Sequence, residues 1–164
     1  DEGHAAGLRE ALPELERWSP AAGAKLASFL AQVEVGGATA LEELFTRTFD
    51  INPACTLELG WILYGQDYAR GAFLVKMRRL LAEHGIQESG ELPDHLTHVL
   101  RLLDRFTSEA AAAFVAAEVL PGISKMREGF QDAENPYAEV IEAVWIVLRE
   151  RFTLPVDAEA EPVP

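Results

Sequence analysis

Apolar residues recur along this chain at intervals of three and four with no strand-like alternation, so the pattern predicts helices throughout. The clearest run spans residues 58–106. A first helix there ends at Gly65, and a second starts after Asp67, places Phe73, Met77, Leu80, Leu81 and His84 on one face, and stops at His84-Gly85. A third, opened by Pro93, aligns Leu96, Val99, Leu100, Leu103 and Phe106. Gly85 supplies the left-handed residue that ends a helix, while Pro93 has the fixed φ and missing N–H that suit a first helical position. Two such helices on a short connection must bury their stripes together.

The flanks continue the pattern. GLREALPELERWSP predicts a short helix interrupted by Pro13 and closed before Pro20. Residues 21–35 carry Leu26, Phe29, Leu30 and Val33 on one face and end at Gly36-Gly37. Thr39 is then placed to cap a helix with the face Leu41, Leu44, Phe45 and Phe49. Asp50-Ile51-Asn52-Pro53 reads as a turn and a new helix start. Beyond residue 106, Thr107 or Ser108 caps a helix broken by Pro121-Gly122, and its alanine run lets a neighbouring helix approach. A shorter helix over 123–130 leads into the polar loop Gln131 to Glu134. Asn135-Pro136 caps a last helix whose stripe, Tyr137, Ile141, Val144, Trp145, Leu148 and Phe152, is widened by Val140, Ile146 and Val147. That helix is buried on several sides or meets a partner. The expectation is an all-α bundle of about seven to eight helices, one helical domain over residues 1–152, with a disordered acidic tail over 153–164.

Length and composition fit this picture: 164 residues with 49% hydrophobic content can bury a sizeable core. No window approaches the apolar length of a membrane span, and no basic, apolar export leader is visible from Asp1 onward. A lone cysteine, Cys55, forms no internal disulfide and fits a reducing cytoplasm. The net charge of −13 is uneven. Residues 67–105 carry six acids and six bases, whereas the remainder is strongly acidic. Such a surface repels nucleic acid and anionic lipid and attracts a basic partner.

Catalytic chemistry finds little support. His95 and His98 lie one turn apart with Glu91 and Asp94 nearby, a spacing that could hold a metal on a helix face. Di-iron bundles, however, need Glu-x-x-His pairs, and the residues three before His84, His95 and His98 are Leu81, Leu92 and His95. Cys55 has no neighbouring histidine, and the glycines form neither a phosphate loop nor a dinucleotide fingerprint. A small helical metal-binding or di-iron protein on His95 and His98 is therefore the alternative to a binding protein, and self-association through the apolar last helix is a third reading.

Three stretches suggest a binding surface. In Glu91-Leu92-Pro93-Asp94-His95, Asp94 suits the first turn of the helix that Pro93 opens, and an exposed Asp-His pair there would offer a charge and a hydrogen-bonding ring to a peptide. On the preceding helix, Trp61 and Tyr64 share a side different from that of Leu59, Ile62 and Leu63, and such aromatics suit either the core or a partner. Arg70 makes a plausible pair with Asp67, and Gly71 lets another backbone come close.

Taken together, Tyr64-Gly65, Asp67, Arg70-Gly71, the helix end at Gly85 and the run Glu91-Leu92-Pro93-Asp94-His95-Leu96 resemble the signature of the NarJ/TorD-like redox-enzyme maturation chaperones, on the nitrate reductase assembly (delta subunit) side. The helix pattern extends the likeness more weakly over residues 26–152. Tyr68 and Ala69 depart from the polar residues of many such chaperones. The resemblance implies a cytoplasmic chaperone with no catalytic role and no cofactor of its own. It would bind the N-terminal segment of a molybdenum oxidoreductase catalytic subunit, a twin-arginine leader or a remnant of one, and assist insertion of the molybdenum cofactor. It also implies a peptide site bordered by Trp61 and Tyr64 and including Asp94 and His95.

Overall fold

The computed structural model describes residues 2–130 and 134–152. In chain order its elements are α1 Glu2–Trp18, α2 Pro20–Gly36, α3 Ala38–Phe45, a π-helical turn Thr46–Asp50, α4 Leu59–Tyr64, α5 Tyr68–Glu83, α6 Leu96–Leu103, α7 Ser108–Phe114, a second π-helical turn Val115–Val119, α8 Leu120–Gly129 and α9 Tyr137–Phe152. The fold is all-helical, as the periodicity predicts. Its only strand-like pairing among the described residues is an isolated antiparallel bridge between Glu58 and His95. With each π turn joined to its neighbours, the described residues form eight helical rods. Among the described residues no helix is long and apolar enough to cross a membrane. The tail reading over 153–164, and the part of the polar loop at 131–133, lie outside the described residues.

Local signals explain most boundaries. Ser19 caps α2 by accepting from the Ala22 N–H at 3.3 Å, with Pro20 in the first turn. Asp67 caps α5 through the Ala69 N–H, Thr107 caps α7 through Ala110, and Asn135 accepts from Tyr137 at the start of α9. Gly37 and Gly85 take the left-handed φ values of 74° and 66° that end α2 and follow α5.

Five expectations are corrected. The chain stays helical through Pro13. The lost hydrogen bond there is outweighed by Leu8, Leu12 and Leu15 packing on Leu26, Phe29 and Leu30 of α2. α3 starts one residue before Thr39, with Gly37 at its N-cap and no side-chain cap. Pro53 opens a hydrogen-bonded turn, Cys55 N–H to Asn52 C=O at 3.1 Å, and not a helix; the helix waits until Leu59. Pro121-Gly122 does not break the rod, because the wide π turn ends just before it and Pro121 falls in the first turn of α8. Finally, α6 begins at Leu96 and leaves Pro93 three residues before it, buried in the preceding turn.

The main core gathers Phe49, Leu59, Met77, Leu102, Ile123 and their neighbours; Cys55 is buried in it, and burial pushes its thiol pKa up. A second cluster joins α1, α2 and the start of α9 around Leu26, Phe29 and Leu30. The broad stripe of α9 is thereby explained within the chain: Ile141 and Leu148 face the main core, while Tyr137 and Val140 reach the second cluster. Opposite outcomes are expected at two glycines. Gly7 lies in open space within α1, so Gly7→Ala raises stability by about 0.5–1 kcal/mol. At Gly129 a Cβ would meet the Ala54 carbonyl oxygen at 2.6 Å, so Gly129→Ala lowers it by about 1–3 kcal/mol, read by urea unfolding.

Candidate functional site

The start of α4 has no side chain of its own to cap it, since Glu58 at the N-cap makes no such bond. The run after α5 supplies the acceptors instead. The backbone carbonyl of Asp94 accepts from the Leu59 N–H at 3.1 Å, and its Oδ2 accepts from the Gly60 N–H at 2.8 Å. The Leu96 N–H donates back to the Leu57 carbonyl at 2.8 Å, closing the bridge between Glu58 and His95. Gly60 is required by this approach: a Cβ there would sit 2.7 Å from Asp94 Oδ2 and 2.9 Å from Phe73 Cδ1. An acid at a helix N-terminus was the right physics, but the helix is α4 and not α6.

Asp94 consequently differs from the exposed acid expected at that position. It is 0% exposed, and its Oδ1 has no hydrogen-bond partner among the described residues. A buried polar loop needs such closure because unmet backbone groups cost about 1–3 kcal/mol each. His98 tightens it further from α6. The Ser89 N–H donates to His98 Nε2 at 3.1 Å, which leaves the proton on Nδ1, directed at the Leu92 carbonyl at 2.9 Å. Both ring nitrogens thus hold the loop. A metal on His95 and His98 would have to break it, and no group of three or more metal-type ligands gathers among the described residues.

His95 caps α6, its Nδ1 lying 2.8 Å from Thr97 Oγ1 and 3.4 Å from the Thr97 backbone nitrogen. Burial lowers its pKa below 6.5; His98 adds to the lowering, while Glu91, Asp94 and Glu58 oppose it. Arg70 pairs with Glu58 at 2.8 Å and stacks over Trp61 at 5.0 Å, replacing the expected bond to Asp67, which is occupied as the α5 cap. Gly71 faces open space, and among the described residues no other backbone approaches it as expected. Trp61 donates from Nε1 to the Pro53 carbonyl at 3.1 Å and stays half-buried. Trp61, Asp94 and His95 are therefore linked through Glu58, Gly60 and Arg70.

Tyr64 points elsewhere. Its ring lies 5.5 Å from Phe73, and its hydroxyl donates to Glu118 at 2.9 Å, so burial and the carboxylate raise its pKa. Glu118 also receives Lys76 at 2.6 Å. This group closes one end of an open groove of about 520 Å³ between α5 and the α7 rod. Leu80, Phe106 and Phe114 line it, Ala110, Ala113 and Ala117 form one wall, and Arg105 stands among its lining residues without an ion-pair partner among the described residues. The sequence reading missed the groove. It took the alanines as a helix contact, which holds for buried Ala111 and Ala112 but not for the three exposed ones.

Substituting Asp94→Ala removes one of the α4 caps and is expected to cost about 1–3 kcal/mol, with Asp94→Asn milder because its amide oxygen still accepts from Gly60; thermal melts compare them. For His95, the unfolded chain binds the proton more readily, so stability is full above about pH 6.5 and falls as pH drops through that value toward the lower folded pKa. An NMR titration of the ring should give a midpoint below 6.5, and a midpoint above it would contradict the burial argument.

A model of the family described as "Nitrate reductase delta subunit" matches residues 2–142. None of the curated proteins matches the chain significantly.

Proposed function

The chain belongs to the nitrate reductase delta subunit family, and from that premise we propose that it holds a nitrate reductase catalytic subunit by that subunit's N-terminal segment while the molybdenum cofactor is inserted. The family is one of maturation chaperones and not of catalysts, so the chain acts in nitrate reductase maturation. The finer reading has it working in the cytoplasm, without a cofactor of its own, on a twin-arginine leader or its remnant.

The observation that carries this reading is the α4 edge. A short helix, pinned at its start by Asp94, presents Trp61 beside the Glu58–Arg70 pair and Tyr64 beside the apolar groove. An amphipathic segment would lay apolar side chains along the groove floor and set its cations against Glu58, Glu91 and Glu118. Trp61, Tyr64 and His95 would touch the client. Asp94, being sealed, would act by positioning α4 and not by contact.

Calorimetry with a peptide of the catalytic subunit's N-terminal residues tests this. The wild-type chain should bind it, and Trp61→Ala should weaken binding at least tenfold, the scale of an aromatic anchor worth about 1.4 kcal/mol or more. Unchanged affinity in a folded Trp61→Ala, Tyr64→Phe double variant would remove the site.

A further inference from the structure

Arg70 stands where a cationic client would have to go. Its guanidinium pairs with Glu58 at 2.8 Å and lies over the Trp61 ring at 5.0 Å, so it covers both the acid and the aromatic face of the α4 edge. The two side chains of the pair are 23% and 33% exposed, and an ion pair in contact with water is screened and readily exchanged for another. The outer position of Arg70 is therefore one that a competing cation can take.

A second position for the same guanidinium lies inward. Arg70 Nε is buried without a hydrogen-bond partner among the described residues, and so is Asp94 Oδ1. The two side chains flank the missing side chain of Gly60: the point where a Cβ would stand is 2.7 Å from Asp94 Oδ2 and 3.6 Å from Arg70 Cγ. A rotamer change about the Arg70 Cγ–Cδ bond turns the guanidinium from Glu58 toward Asp94. An unmet buried donor and an unmet buried acceptor both favour that contact. Asp67 is no rival, because its carboxylate accepts from the Ala69 N–H at the start of α5.

We propose that Arg70 selects the client: it holds the place of a client cation on Glu58 and Trp61, and yields it by turning to Asp94 Oδ1. Only a segment whose own cation takes both outer contacts displaces it. Until then the site is self-occupied, which lowers its apparent affinity by the fraction of molecules with Arg70 outside. Once displaced, Arg70 adds a bond to the carboxylate that caps α4, so client binding tightens the helix that carries Trp61. The proposal deepens the function given above and rests on it for the client, whereas the turning of Arg70 is a property of the chain alone.

Two measurements keep these apart. The first is urea unfolding without any client, as a double-mutant cycle of Arg70→Gln and Asp94→Asn run in the wild-type chain and again with Glu58→Gln. Asp94→Asn keeps an oxygen for the Gly60 N–H, so the cycle reads the contact with Arg70. Releasing Arg70 by Glu58→Gln should raise the coupling factor in the unfolding constant about fivefold over its value with Glu58 present. Equal coupling in the two backgrounds overturns the turning of Arg70. The second is calorimetry with the peptide of the catalytic subunit's N-terminal residues. Arg70→Gln should bind it about fivefold more tightly than the wild-type chain, and the gain should vanish in the Glu58→Gln background. A gain that persists without Glu58 is a general effect of charge, and no gain means that Arg70 does not stand in the client's way; either overturns the proposal. If no variant binds the peptide, the proposed function fails and the selecting role with it, while the unfolding cycle still decides whether Arg70 turns to Asp94.

Discussion

Everything on the functional side of the molecule depends on one hydrogen-bonded contact, Asp94 against the first two amides of α4. A six-residue helix has too few internal bonds to persist alone, and its first N–H groups would otherwise be unmet in a buried setting. Residues thirty-four positions apart in sequence meet this need together. The carbonyl and carboxylate of Asp94 satisfy Leu59 and Gly60, the absence of a side chain at Gly60 makes room, and His98 holds the loop that carries Asp94.

With α4 fixed, its side chains divide between two surfaces. Leu59 enters the main core so closely that a Cβ on Gly122 of α8 would meet its Cδ1 at 2.2 Å, which pins the far side of the helix. Trp61 is left beside Arg70 and Glu58, while Tyr64 reaches Glu118 and Lys76 at the head of the groove. Phe73 lies between, close to both Gly60 and the Tyr64 ring, so the two surfaces share one support. A client bound along this edge would meet aromatic area, acids and an apolar floor in sequence.

Much of this was legible from residue spacing and caps. Helical periodicity located each main rod, and Asp67, Thr107 and Asn135 marked where three of them start, whereas the Ser19 cap of α2 went unread. What failed did so for tertiary reasons. Prolines were read as breaks, yet Pro13 is carried by packing on α2 and Pro121 by a π turn, neither of which has a local signature. Asp94 was recognised as a helix-terminal acid, but which terminus it serves depends on a long-range approach that spacing cannot encode. Trp61, Asp94 and His95 are linked through Glu58, Gly60 and Arg70, and the family likeness read from the signature residues is matched by a family model over residues 2–142. The groove was invisible because half of the alanine run turns inward and half outward, a distinction that appears only once α9 is in place.

The account's central claim is that α4 and the adjoining groove form the surface that receives the nitrate reductase catalytic subunit. Amide hydrogen exchange, followed by mass spectrometry with and without that subunit's N-terminal peptide, addresses it most directly. The account predicts slowed exchange over α4 and along the α5 and α7 walls, with α1 and α2 unchanged. Slowing confined to α1 and α2, or absent from α4 while the peptide is bound, would contradict it.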